Sequence, residues 1–138
     1  MNSYSNIPNK FITTADGVQI AYRDYGNPNG YTLLLFVHLA ANLDNWRPEL
    51  LDLLAEKHRI ITFDYRGVGL SEGEQSLSIA QMAKDSLQFI DALQLDKVHL
   101  LGFLMGGFVV QELIPLAPER FDKVVLAGTG LRGGKDID

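Results

Sequence analysis

The sequence predicts an α/β fold, a mainly parallel sheet with helices on both faces, and two observations carry that prediction. First, four short, mainly apolar runs read as strands: YTLLLFVH at 31–38 and RIITFD at 59–64 fit strands buried on both faces, VHLLGF at 98–103 is of the same buried type, and KVVLAG at 123–128 is the last strand. Second, helix-like segments lie between them. Strand and helix patterns therefore alternate from residue 31 onward, and that order brings successive strands parallel through helical crossovers. A length of 138 residues suits a single domain with a real core.

Each element has a local reason. FITT at 11–14 and VQIAYRDY at 18–25 read as strands joined by an Asp16-Gly17 turn, an edge hairpin. Gly26-Asn27-Pro28-Asn29-Gly30 is a loop before the first buried strand. Residues 46–57, WRPELLDLLAEK, read as a helix with Pro48 in its first turn and Leu50, Leu51 and Leu54 on one face. After the strand at 59–64, RGVGLSEGE is loop. Ser78 and Gln81 form a capping-box pattern, and Ile79, Met82, Ala83, Leu87, Ile90 and Leu93 follow at helical spacing. A further helix runs from Gly107 through GFVVQELIPLA, and Pro115 should kink or end it by removing a backbone donor. The whole chain, 1–138, reads as one domain, with 1–10 and 129–138 expected to be loose.

Composition narrows the function. Hydrophobic residues make up 46% and charged residues 21%, the balance of a globular protein. The net charge of −5 and the lack of any Lys/Arg block argue against nucleic acid as the main partner. No apolar stretch approaches the roughly 18 residues of a membrane span, and the N-terminus, MNSYSNIPNK, lacks the apolar core of a signal peptide, so a cytoplasmic location is the expectation. The absence of cysteine excludes disulfides and thiolate metal sites, no His pair has metal-site spacing, and no cofactor is expected.

The stretch LLGFLMGGFVV at 100–110 carries the most information. A buried-type strand runs into a Gly-bounded turn and then a helix, with Gly102 and Gly106 placed as in the pattern Gly-x-nucleophile-x-Gly. The residue between them is Leu104. Strand ends at His38, Asp64 and Leu104 converge on the carboxyl edge of the sheet, where ligands bind in such folds. Taken with HLAANLDNW at 38–46 and DYRGVGLS at 64–71, the segment GFLMGG at 102–107 resembles the α/β-hydrolase superfamily, in its esterase, carbon–carbon hydrolase and perhydrolase-like branch. The resemblance covers about residues 11–130 and implies the first six or so strands of that fold.

The resemblance implies roles for several residues. Leu104 occupies the nucleophile position. The backbone N–H of Met105 would be one oxyanion-hole donor, and that of Ala40, or less favourably Leu39, the other. His38 would orient the oxyanion loop rather than act as a base, and Trp46 would pack beside the pocket. Three departures qualify these roles. Leucine has no nucleophilic atom, so covalent acyl transfer through position 104 is impossible. The family's chain order is Ser, then Asp or Glu, then His, yet no His follows position 104; His38, His58 and His99 all precede it. Leu39 also stands where many relatives have Gly.

Other readings of the same residues are plainer. His58 and His99 are expected to be structural or exposed, and Asp64 and Arg66 to build a turn. Ser71 in Gly69-Leu70-Ser71-Glu72-Gly73 imitates a nucleophile motif but follows a loop. A phosphate loop fails because Phe108 stands where Lys is required, and a dinucleotide loop fails because Leu104 stands where Gly is required. The expected function is an α/β-hydrolase-derived domain that lacks nucleophile and triad and is inactive or nearly so. A variant of a serine hydrolase of small esters, or a ligand-binding module that keeps the pocket, are the alternatives. KVVLAG should be an exposed apolar edge, so a homo-oligomer covering that strand and the adjoining sheet face is expected.

Overall fold

The computed structural model describes residues 7–36, 48–65, 67–68, 70–73, 78–103 and 105–127. Strands β1 (Lys10–Thr13), β2 (Gln19–Gly26), β3 (Tyr31–Phe36), β4 (His58–Phe63), β5 (Val98–Phe103) and β6 (Phe121–Ala127) form one six-stranded sheet in the order β1-β2-β4-β3-β5-β6. β1 and β2 are antiparallel, and β2 is antiparallel to β4. β4, β3, β5 and β6 are mutually parallel. Helices α1 (Pro48–Ala55), α2 (Ile79–Ala92) and α3 (Met105–Leu113) connect them, and two short 3₁₀ turns precede β6.

The apolar runs of β3 and β4 are buried on both faces, as their lack of alternation requires. Leu33 to Phe36 and Ile60 to Phe63 are all buried. Tyr22 meets Phe89 of α2 edge-on, whereas the Tyr25 hydroxyl reaches Asp52 of α1 at 3.3 Å. Residues three apart on a strand point to opposite faces, so α2 and α1 cover opposite sides of the sheet. α3 packs beside α2. Phe63 stacks on Phe89 with ring centres 4.6 Å apart and meets Phe36 edge-on, joining strands and a helix into one core.

Turn and cap chemistry follows the sequence, with adjustments. Gly17 takes φ +85° in the hairpin turn, a value that suits glycine. Ser78 caps α2 by accepting from the Gln81 N–H at 3.1 Å. Gln81 instead turns its own amide to Asp85, so the reciprocal half of the capping box is replaced by an i,i+4 contact. α3 stops at Leu113 and Pro115 falls in the first 3₁₀ turn, where its missing donor costs little. Several boundaries differ from expectation, among them these. β1 begins at Lys10, inside the segment expected to be loose. α1 ends at Ala55 rather than at residue 57. α3 begins at Met105 rather than Gly107. β6 begins at Phe121, two residues before the apolar run, because pairing with Val98 extends it. Among the described residues no helix is long and apolar enough to cross a membrane.

Candidate functional site

The parallel strands β3, β4 and β5 end together, and there the chain departs into the segments that the sequence marks as functional. The β5–α3 junction is built on a close approach of backbones. A methyl group placed on Gly102 would lie 2.7 Å from Gly107 Cα and 3.0 Å from Gly106 O. Strand and helix touch here with no room for a side chain. Gly102 is required by that contact, and its nearest neighbour is Gly107, a residue beyond the Gly106 of the expected pair. Met105 is the first residue of α3. First-turn amides of a helix have no acceptor within it, so they are available to a ligand or to water.

At the end of β4, Asp64 is buried and organises the following loop. Its Oδ2 accepts from Leu70 N–H at 2.9 Å, and its backbone N–H donates to Ala21 O at 3.0 Å. Ser71, also buried, donates its hydroxyl to Asp64 O at 2.8 Å and accepts from Ala21 N–H at 2.9 Å. Glu72 N–H donates to Gln19 O at 2.8 Å, which fastens the far end of the loop to β2 as well. Asp64 thus has the turn-building role expected of it. Ser71 commits its hydroxyl to the scaffold as both donor and acceptor, which its resemblance to a nucleophile motif gave no sign of.

The described histidines are distant from this edge. His58 opens β4 and donates from Nδ1 to Leu54 O at 3.1 Å, closing the end of α1. His99 is buried near the start of β5, its ring against Tyr31 and its Nδ1 accepting from Lys123 N–H at 3.2 Å. That bond sits at a register shift, where Val98 pairs with Phe121 but Leu100 pairs with Val124. β6 carries one extra residue there, and an imidazole nitrogen replaces a ladder carbonyl. Nothing in the spacing of VHLLGF points to this role. His38, Leu39, Ala40, Trp46, Arg66 and Leu104 lie outside the described residues.

Two further features belong to the opposite end of the sheet. Arg59 grips Asp24 through two bonds of 3.0 and 2.6 Å, and that hydrogen bonding holds the guanidinium pKa above its ordinary value. Burial, reinforced by the Asp24 charge, pushes the nearby Tyr22 phenol up. A cavity of about 440 Å³ beside Tyr25, Gly26, Asp52 and Glu56 opens at the start of β4, away from the β5–α3 junction. It therefore contributes nothing to the strand-end site. Among the described residues, no group of three or more His, Asp or Glu is placed to hold a metal ion.

Comparison with known proteins agrees with this architecture. Residues 32–136 match the alpha/beta hydrolase fold family. A Variovorax paradoxus protein bearing the name carbamate hydrolase RutD is 36% identical over 107 residues, which are 76% of this chain and 40% of that protein. A 3-oxoadipate enol-lactonase from Acinetobacter baylyi is 30% identical over 127 residues, 91% of this chain and 47% of that protein. An alpha/beta hydrolase fold protein from Chitinophaga pinensis superposes with a TM-score of 0.92 at 36% identity, covering 97% of this chain and 48% of that structure. The chain spans less than half the length of each of these three proteins.

Proposed function

The chain belongs to the α/β-hydrolase family, and from that premise we propose that it is a family domain without working catalysis, self-associating and cytoplasmic. One observation carries the reading. Leucine stands at position 104, between Gly102 and Gly106, at the junction of β5 and α3. An aliphatic side chain offers no lone pair to attack a carbonyl and no proton to transfer. The histidines support the same conclusion. His58 and His99 sit at the starts of their strands, bonded to backbone groups. What survives of the machinery is passive. The Met105 N–H, and the Ala40 N–H on a loop oriented by His38, would be the oxyanion donors. They could polarise a carbonyl or hold a small acid or ester without cleaving it.

The test is turnover of p-nitrophenyl acetate and p-nitrophenyl butyrate by the 138-residue chain. Hydrolysis is expected about 10⁶-fold below that of a complete triad, at most a weak residue over buffer from the oxyanion donors. Turnover at the rate of an intact triad would overturn the reading. The names of the relatives favour a second reading for ancestry: cleavage of an ester, lactone or carbamate carbonyl by a serine at position 104. Leu104→Ser in a chain extended to the relatives' length should then hydrolyse such esters, and its failure there would remove that reading.

A further inference from the structure

We propose that the cavity between the end of β2 and the end of α1 binds a small organic ammonium ion, with its charge at Asp52 and Glu56 and its apolar body on Ile7, Tyr25 and Pro28. The inference does not rest on the non-catalytic reading above, because the cavity lies away from the β5–α3 junction. Its volume is about 440 Å³, within the roughly 300–1,000 Å³ of small-molecule sites. Its lining residues all fall within 7–56, on the β1–β2 side of a sheet that has β6 at its other edge. The walls are held from several directions. The Tyr25 hydroxyl donates to Asp52 Oδ1 at 3.3 Å, which fixes phenol and carboxylate together. Asn27 N–H is shared between Ala55 O at 3.1 Å and His58 O at 3.0 Å. A methyl group on Gly26 would lie 2.5 Å from His58 O, so the loop after β2 rests directly on the backbone that leaves α1. A site with walls already fixed loses little ordering entropy on binding.

Charge selects the occupant. Asp52 stands in the last turn of α1, and Glu56 directly follows the helix. This is the negative end of the helix dipole, where cations stabilise and carboxylates do not. Like charges four residues apart also repel each other. The last turn of α1 holds no basic residue, and among the described residues no Lys, Arg or His lines the cavity. An ammonium ion placed here offsets both repulsions. The neighbouring cations are committed elsewhere. His58 bonds Leu54 O at 3.1 Å through Nδ1, and Asp24 grips Arg59. Lys10 and Arg59 line a separate depression, which shares only Tyr25, Gly26 and Pro28 with this one. Lys57 is exposed and does not line the cavity. The remaining surface decides between an organic and a metal cation. Ile7, Pro28 and Ala55 are apolar, and the Tyr25 ring adds an aromatic surface that attracts cations. A bare metal ion would leave that surface uncovered, and Ca²⁺ takes about 6–8 oxygens, more than two carboxylates provide.

The test is titration of the isotope-labelled 138-residue chain with phenethylammonium, followed by backbone amide chemical shifts. Saturable shifts are expected at residues 25–27 and 52–56. Phenethyl alcohol and phenylacetate, similar in shape but neutral and anionic, should bind about 10-fold more weakly or worse. Asp52→Asn keeps an acceptor for the Tyr25 hydroxyl, and Glu56→Gln keeps the side-chain shape. Each should raise the dissociation constant for phenethylammonium about 5-fold, and the two together about 20-fold, as loss of a partly exposed charge-assisted contact does. Glu119→Gln, in the 3₁₀ turn before β6, should leave binding unchanged. Circular-dichroism melts identify any variant whose effect is misfolding. No saturable shift, equal affinity for phenethyl alcohol, the same shifts from Ca²⁺ alone, or a folded double variant that binds like the wild type would each overturn the proposal. Esterase turnover at the rate of an intact triad would overturn the non-catalytic reading and leave this one standing.

Discussion

Replacing Gly102 with alanine isolates the contact on which the β5–α3 junction is built. The added Cβ would meet Gly107 Cα at 2.7 Å, against the roughly 3.5–4.0 Å of an unstrained carbon–carbon contact. Because the obstruction is backbone, no rotamer change relieves it, and the helix must shift away from the strand. Overpacking of this kind costs about 3 kcal/mol, and reduced freedom of the unfolded chain returns about 0.4–1 kcal/mol. The net loss is about 2 kcal/mol. At roughly 2.1 cal/mol/K of unfolding entropy per residue, 138 residues convert that into a fall in Tm of about 7 °C. Urea denaturation and thermal melting would measure it. Gly102→Val should cost more, because crowding grows with volume. Gly17 provides the contrast. Its φ is +85° and no atom lies within 4 Å of where an alanine Cβ would stand. Alanine and serine there should cost a similar amount, about 1–2 kcal/mol, through backbone strain alone. A change within about 0.5 kcal/mol for Gly102→Ala would refute the close-approach argument.

Three other outcomes are expected. Ser71→Ala removes the acceptor for Ala21 N–H and the donor to Asp64 O, and should lower stability by about 1–3 kcal/mol in urea. Equal stability would mean that water takes over both bonds. Tyr22 has its pKa raised in the fold, chiefly by burial, so its contribution to stability is fully present below the unfolded value of 10.0 and is lost as pH rises through the higher folded value. Tyr22→Phe should therefore shallow the loss of stability above pH 10, and an unchanged alkaline limb would count against that burial. His99→Phe takes away the acceptor of Lys123 N–H, and amide exchange at Lys123 should accelerate while Leu100, in the buried core, stays protected. Unchanged exchange at Lys123 would mean the imidazole does not hold the register shift.

Most of the scaffold was legible because burial on both faces leaves a simple trace. Leu33 to Phe36 and Ile60 to Phe63 are apolar apart from Thr62, and that pattern marks a strand with helices above and below. The Asp16-Gly17 turn and the Pro115 stop were legible for an equally local reason, since each depends on one residue's backbone. Three features were not. Gly107 as the neighbour of Gly102 depends on how the helix docks onto the strand. The Ser71 bonds to Ala21 and Asp64 link positions 50 and 7 residues apart, which no short motif encodes. His99 in the β5–β6 register shift depends on pairing between distant strands. Of the strand-end site, the sequence supplies its most decisive chemical fact, Leu104, because a missing nucleophile is a matter of composition and not of geometry.

That fact also defines the most direct test. The 138-residue chain would be treated with a fluorophosphonate that labels activated serines, alongside Leu104→Ser in a chain of the relatives' length, and both read by intact-mass spectrometry. The account predicts no adduct on the 138-residue chain, native or heat-denatured. A single stoichiometric adduct on the native chain, abolished by denaturation, would reveal an activated nucleophile elsewhere and contradict it.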